Sequence, residues 1–122
     1  MQMRDVAPLV EAEVLACAGR GDLMLDRAYA VDLLSDFLAL TDERTTLITG
    51  NVSPQVIRVA EILNVIAVIF VRGKRPAPGT VARAEQLGIP LLATKKTMFE
   101  TCGLLYAHGV RPCKNRPVET SE

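Results

Sequence analysis

The chain has no tryptophan, a single histidine, three cysteines and only 4% aromatic residues in a length of 122. Its aromatic side chains are Tyr29, Tyr106, Phe37, Phe70 and Phe99, so any core must be aliphatic. Cys17, Cys102 and Cys113 are widely spaced, contain no C-x-x-C and cannot all pair within one chain, which points to a reducing cytoplasm. With His108 alone and no cysteine pair, a zinc site would need scattered carboxylates, so no metal is expected. Ser35-Asp36 and Asp42-Glu43 supply a hydroxyl and carboxylates, but no histidine stands near them in sequence and no nucleophilic triad follows.

An excess of one charge is also missing, since Lys plus Arg and Asp plus Glu number 14 each. That balance argues against a broad nucleic-acid surface or a polybasic membrane contact. The longest apolar run, Val65 to Val71, is too short to span a bilayer. Val14-Leu15-Ala16-Cys17 has the form of a lipoprotein cleavage box, but Asp5, Pro8, Glu11 and Glu13 interrupt the apolar stretch a signal peptide requires. No G-x-G-x-x-G follows any strand. Gly73-Lys74 fails as a P-loop, because Val68 stands where glycine is needed and Arg75 where serine or threonine is needed. Nucleotide hydrolysis of the usual kind is unsupported, and no catalytic residue and no cofactor are expected.

What is present is a regular grammar. Arg4 to Ala12 sets Val6, Leu9 and Val10 on one helical face, with Pro8 tolerable in a first turn. Glu13 to Cys17 and Arg27 to Val31 read as short strands, with turn residues Gly19-Arg20-Gly21-Asp22 after the first. Asp32 to Leu38 is apolar on one side and reads equally as helix or extended chain. Thr45 to Thr49 is a buried strand, and Ser53-Pro54 supplies an N-cap and an N1 proline to a helix with Val56, Ile57, Ala60 and Leu63 inward. Val65 to Val71 has the β-branched character of a strand buried on both faces of a parallel sheet. Thr80 can cap the next helix, with Val81, Ala84 and Leu87 inward and Gly88 as its stop. Ile89 to Ala93 is the last strand of this series, and Thr97 with Glu100 forms a capping box that opens the final helix.

Three successive strand-then-helix units imply parallel strands with right-handed crossovers. The expected fold is α/β, a three-layer-type sandwich with a mainly parallel sheet built from successive βα units, an N-terminal helix and two short extra strands. It is expected as one domain over 1–110, followed by a flexible tail over 111–122.

Such a sheet gathers the carboxyl ends of its strands at one edge, bringing Thr49-Gly50-Asn51, Arg72-Gly73-Lys74 and Thr94-Lys95-Lys96 near the helix starts at Ser53, Thr80 and Thr97. Free N–H groups, hydroxyls and cations at one place suit a phosphate, a nucleotide or a carboxylate. The candidate ligand-binding residues are Thr49, Gly50, Asn51, Arg72, Gly73, Lys74, Thr94, Lys95 and Thr97. The plain alternative makes the hydroxyls caps, the glycines turn residues and the lysines solvated. Cys102 reads as a small core hydrophobe and His108 as a structural residue at a helix C-terminus.

The segment Ala30-Val31-Asp32-Leu33-Leu34-Ser35-Asp36, the strand ending in Thr49-Gly50, the strand Ile66 to Val71 and the run Ala84 to Thr94 leading to Thr97-Met98-Phe99-Glu100 together resemble the DRTGG domain. The resemblance extends to about Gly109. It implies a fold similar to the amino-terminal domain of HPr kinase/phosphorylase. It also implies a regulatory role, since such domains occur between paired CBS domains in bacterial pyrophosphatases, near the amino end of long phosphotransacetylases, and as small stand-alone prokaryotic proteins. The signature positions are Asp32, Ser35, Asp36, Thr49, Gly50, Gly73, Gly88, Pro90, Thr94, Thr97, Phe99 and Glu100; the basic loop Arg72-Gly73-Lys74-Arg75 departs from the family's barer turn.

Two functions are therefore in view. One is a non-enzymatic cytoplasmic regulatory domain that forms a homodimer and docks on a partner enzyme, with Met98, Leu104 and Tyr106 unable all to face one core. The other is a sensor of an adenine nucleotide or other phosphorylated small molecule at the strand-end edge. An enzyme using Asp32 or Asp36 as a base lacks a positioned nucleophile.

Overall fold

Leu47, Val68, Phe70, Leu91 and Ala93 pack into one hydrophobic core, and their sequence neighbours Ile48, Ile69 and Leu92 pack into another. Side chains alternate across a strand, so these three segments must lie in a sheet that is covered on both faces. The computed structural model describes residues 1–40 and 44–113. Its elements are α1 (Met3–Leu9), β1 (Ala12–Ala16), β2 (Arg27–Ala30), α2 (Leu34–Leu40), β3 (Thr46–Thr49), α3 (Gln55–Ile62), β4 (Val68–Phe70), α4 (Pro78–Leu87), β5 (Leu91–Thr94), α5 (Met98–Ala107) and β6 (Arg111–Pro112).

The strands form one sheet of order β1-β5-β4-β3-β2-β6, parallel throughout except for β1, which runs antiparallel to β5. Phe37 of α2, Val56, Ile57, Val59 and Ala60 of α3 and Ala84 of α4 fill the core on one face. Met3 and Val6 of α1 and Leu105 of α5 fill the other. This is the expected α/β sandwich, and both extra strands join the main sheet. Among the described residues no helix is long and apolar enough to cross a membrane.

Several local expectations are corrected. Pro8 lies in the last turn of α1, not the first. The helix tolerates the lost N–H because it is short and its start is held by Met3 and Arg4, whose N–H groups donate to Leu23 and Gly21 at 2.8 and 3.0 Å. Ser53 does not cap α3. The helix starts at Gln55 with Pro54 as N-cap, and the Val56 N–H reaches the backbone carbonyl of Ser53 at 3.1 Å instead of its hydroxyl. Thr80 does not cap α4 either; Ala77 is the N-cap, Pro78 stands in the first turn, and Thr80 is a buried residue inside the helix.

Asp32 to Leu38 resolves as a loop and the start of α2. Val65 to Val71 is buried throughout, but the strand is only Val68–Phe70. The Val65 N–H closes α3 by donating to the Ala60 carbonyl at 3.0 Å, past Asn64 at a left-handed φ of 51°. Arg111 and Pro112 form β6 beside β2 and Cys113 is buried, where a flexible tail was expected to begin. The remainder of that segment, 114–122, lies outside the described residues, as do Asp42 and Glu43.

Candidate functional site

The loops after β2, β3 and β4 meet at the carboxyl edge around one carboxylate. Asp32 Oδ1 accepts the Gly50 N–H at 2.7 Å and the Thr49 hydroxyl at 3.3 Å, and Asp32 Oδ2 lies 3.5 Å from Arg72 Nη2. Asn51 reinforces this, donating from Nδ2 to the Asp32 carbonyl at 3.1 Å and from its N–H to Thr49 Oγ1 at 3.0 Å. Asn51 Oδ1 then accepts the Ser53 N–H at 3.0 Å. This is the side-chain-to-backbone turn that Asn favours, and it explains why Ser53 need not act as a cap.

Arg72 and Gly73 occupy the centre of a tight turn closed by the Lys74 N–H on the Val71 carbonyl at 3.1 Å. Both have left-handed φ, 61° and 72°, the signature of a type I′ turn. Gly73 adopts it freely; Arg72 does so at a cost of about 1–2 kcal/mol. The turn is held because the Arg72 N–H donates to the Lys96 carbonyl at 2.8 Å and the Gly73 N–H to the Thr94 carbonyl at 3.0 Å. A Cβ on Gly50 would run into the Arg72 guanidinium, so the bare glycine lets the arginine lie over β3 toward Asp32.

Beside that turn is a cleft of about 250 Å³ lined by Glu11, Glu13, Gly73, Arg75, Ala93, Thr94, Lys95 and Lys96. Lys96 Nζ pairs with Glu11 at 2.9 Å, and the Arg75 guanidinium grips both oxygens of Glu13 at 3.1 and 3.2 Å. The Arg75 hydrogen bonds and charge hold the Glu13 carboxyl below the usual range, and Glu11 raises Lys96 in the same way. The floor of the cleft is internally satisfied. Thr94 Oγ1 donates to the Val10 carbonyl at 2.7 Å and accepts the Lys96 N–H at 3.1 Å.

The expected residues therefore divide. Thr49, Gly50, Asn51 and Arg72 gather around Asp32, whereas Gly73, Thr94 and Lys95 line the cleft. Lys74 is exposed and, like Lys95, makes no ion pair among the described residues. Thr97 turns inward to its own helix, where its hydroxyl accepts the Glu100 N–H at 3.1 Å and its N–H donates to Glu100 Oε1 at 3.0 Å. The capping box thus places a carboxylate at the start of α5, and these hydrogen bonds lower the Glu100 pKa. Among the described residues no group of three or more His, Cys, Asp or Glu could hold a metal ion.

Glu11 and Glu13 are the site residues that sequence reasoning missed. They reach the edge because β1 pairs antiparallel with β5, Ala12 opposite Thr94 and Glu13 opposite Ala93. No local pattern announces that pairing; two acidic residues flanking the start of a strand were the only available signal.

In its fold the chain is similar to the structure of the CBS and DRTGG domains of the regulatory region of Clostridium perfringens pyrophosphatase, complexed with its activator diadenosine tetraphosphate. The TM-score is 0.69 at 15% sequence identity, over 85% of this chain and 45% of that one. The chain thus spans less than half the length of that structure's chain, and the likeness supports a DRTGG-like fold. No protein-family model matches the chain, and no curated protein matches it.

Proposed function

We propose that the chain is a non-enzymatic cytoplasmic regulatory module that self-associates and docks on a partner enzyme. The outer face of α5 carries this reading. Phe99 is 88% exposed and Tyr106 59% exposed. Seven residues apart, they share one helical face with Gly103 between them. Nothing lies within 4 Å of the space a Cβ on Gly103 would take. The Tyr106 ring carries the Arg111 guanidinium 4.4 Å from its centre, while Phe99 stands open, and an exposed aromatic pair on one helical face is surface that a partner can cover. A second copy crossing antiparallel at Gly103 would set Phe99 of each against Tyr106 of the other, the self-complementary contact of a two-fold dimer. That a protein of similar fold belongs to the regulatory region of an enzyme supports the docking half of the proposal.

Light scattering coupled to gel filtration tests it. The expected result is a dimer for the wild type and a monomer with an unchanged circular dichroism spectrum for Phe99→Asp. A wild type that stays monomeric up to millimolar concentration overturns the reading.

A second reading, a sensor of a phosphorylated small molecule at the strand-end edge, is favoured by the cations Lys74 and Lys95, which make no ion pair among the described residues. The nucleotide activator in the structure of similar fold points the same way. Ligand that binds only the native state stabilises it by RT ln(1 + L/Kd), L being the free ligand concentration, so the melting temperature rises with ligand concentration even beyond saturation. ATP, ADP and AMP at millimolar concentration should include one that does so; no shift with any of them removes this reading.

A further inference from the structure

Glu11 and Glu13 stand at the start of the one antiparallel strand and face the ends of the parallel ones across the cleft. Each neutralises a cation there, Glu11 at Lys96 and Glu13 at Arg75. Three backbone N–H groups beside the cleft are already engaged, those of Arg72, Gly73 and Lys96 donating to the Lys96 carbonyl, the Thr94 carbonyl and the Thr94 hydroxyl. The cations that line the cleft are Arg75, Lys95 and Lys96, and two of these are already held by carboxylates of the same chain. The Arg75–Glu13 pair is exposed on both sides, and in the other pair Glu11 is exposed while Lys96 is partly covered; pairs open to solvent are weak. A phosphate carries more charge than a carboxylate and matches the arginine fork.

Resting on the sensor reading above, we infer that a phosphate group, free or carried on a metabolite, binds in this cleft by ion exchange, taking Arg75 and Lys96 from Glu13 and Glu11. Lys95, which has no ion pair among the described residues, supplies the first attraction. The two carboxylates act as built-in competitors and set the concentration at which the site fills. A monoanion replaces one pair at best, so the exchange selects for groups of higher charge. Glu11 itself sits at a left-handed φ of 53° in the short link between α1 and β1.

Isothermal titration calorimetry on the full chain, with inorganic tripolyphosphate and with ATP as probes, tests the exchange. Removing a competitor must tighten binding, so Glu11→Gln and Glu13→Gln, singly and together, should each lower Kd by up to about fivefold, while Arg75→Gln and Lys96→Gln weaken it by a similar or larger factor. Equal tightening for both probes supports the inference with the phosphate chain sufficient; tightening for ATP alone supports it with a nucleoside carrier. Binding that ignores the glutamate variants, or that is lost only on Lys74→Gln and Asn51→Ala, overturns the exchange and leaves the sensor reading standing with its site around Asp32. No heat with either probe in any variant overturns the exchange, and the absence of a melting shift with ATP, ADP and AMP as well overturns the sensor reading with it. The single glutamate variants keep the test valid should the double variant fold poorly.

Discussion

The backbone N–H of Gly50 donates to the Asp32 carboxylate at 2.7 Å, tying the loop after β3 to the loop after β2. Around this bond the Thr49 hydroxyl, the Asn51 amide and the Arg72 guanidinium are arranged, so the strand-end edge is held by one connected network.

Asp32→Ala leaves the Gly50 N–H without its acceptor and should destabilise the domain by about 1–3 kcal/mol. Gly50→Ala should behave differently. Its new methyl displaces only the end of the flexible Arg72 side chain, and the exposed pair lost contributes at most about 1 kcal/mol, offset by a stiffer unfolded chain. Urea unfolding of both variants checks the contrast; equal losses would show that the Arg72 position, not the Asp32 bond, holds the edge.

The pH dependence follows from the cap of α5. Glu100 has its pKa lowered by hydrogen bonds from Thr97, so its contribution to stability is present above the ordinary glutamate value and is lost as pH falls through the depressed one. Glu100→Gln keeps a side-chain acceptor for the Thr97 N–H but cannot titrate. The stability difference between wild type and this variant at pH 7 should therefore shrink as pH falls below the ordinary glutamate value of about 4.3. Thermal melts across that range measure it, and a difference that stays constant would mean the charge contributes nothing.

Much of this was legible in advance. The capping box, the left-handed stop at Gly88 and the buried run Val65 to Val71 are local signals that packing reinforces, and each is present in the structure. The order of β3, β4 and β5, neighbours in sequence and in the sheet, follows from short helical crossovers between parallel strands. What was not legible is non-local. The pairing of β1 with β5 joins residues some 80 positions apart, and only that pairing brings Glu11 and Glu13 to the edge. Caps failed for a different reason. Ser53 and Thr80 have the chemistry, but Asn51 and Pro78 compete nearby and determine where the helices start.

Cys17 ends β1 with its thiol buried against α4, and burial, then Glu85, pushes its pKa up to about 11. Thiolate is the reactive form, and although burial raises Cys102 as well, its thiol is only half-buried, so at pH 8 Cys17 should resist iodoacetamide long after Cys102 has reacted. A raised folded-state value also means that the unfolded chain ionises first, so stability should fall between about pH 9 and pH 11. Cys17→Ala should flatten that alkaline slope. Mass spectrometry of labelled peptides and melts at high pH check the two halves separately.

Two buried strand threonines should answer one substitution with opposite signs. The Thr94 hydroxyl donates to Val10 and accepts from Lys96, binding the end of β5 to the end of α1 and to its own loop. Thr94→Val removes both and leaves a buried carbonyl short of a donor, costing about 1–3 kcal/mol. The Thr46 hydroxyl, equally enclosed, has no hydrogen-bond partner among the described residues. A buried hydroxyl without a partner is itself destabilising, and valine fills nearly the same volume with no polar atom to satisfy. Thr46→Val should therefore raise the unfolding free energy by about 1 kcal/mol or more. If chemical denaturation shows Thr46→Val to be destabilising as well, the hydroxyl has a partner in solution, and the amino end of β3 holds a bound water.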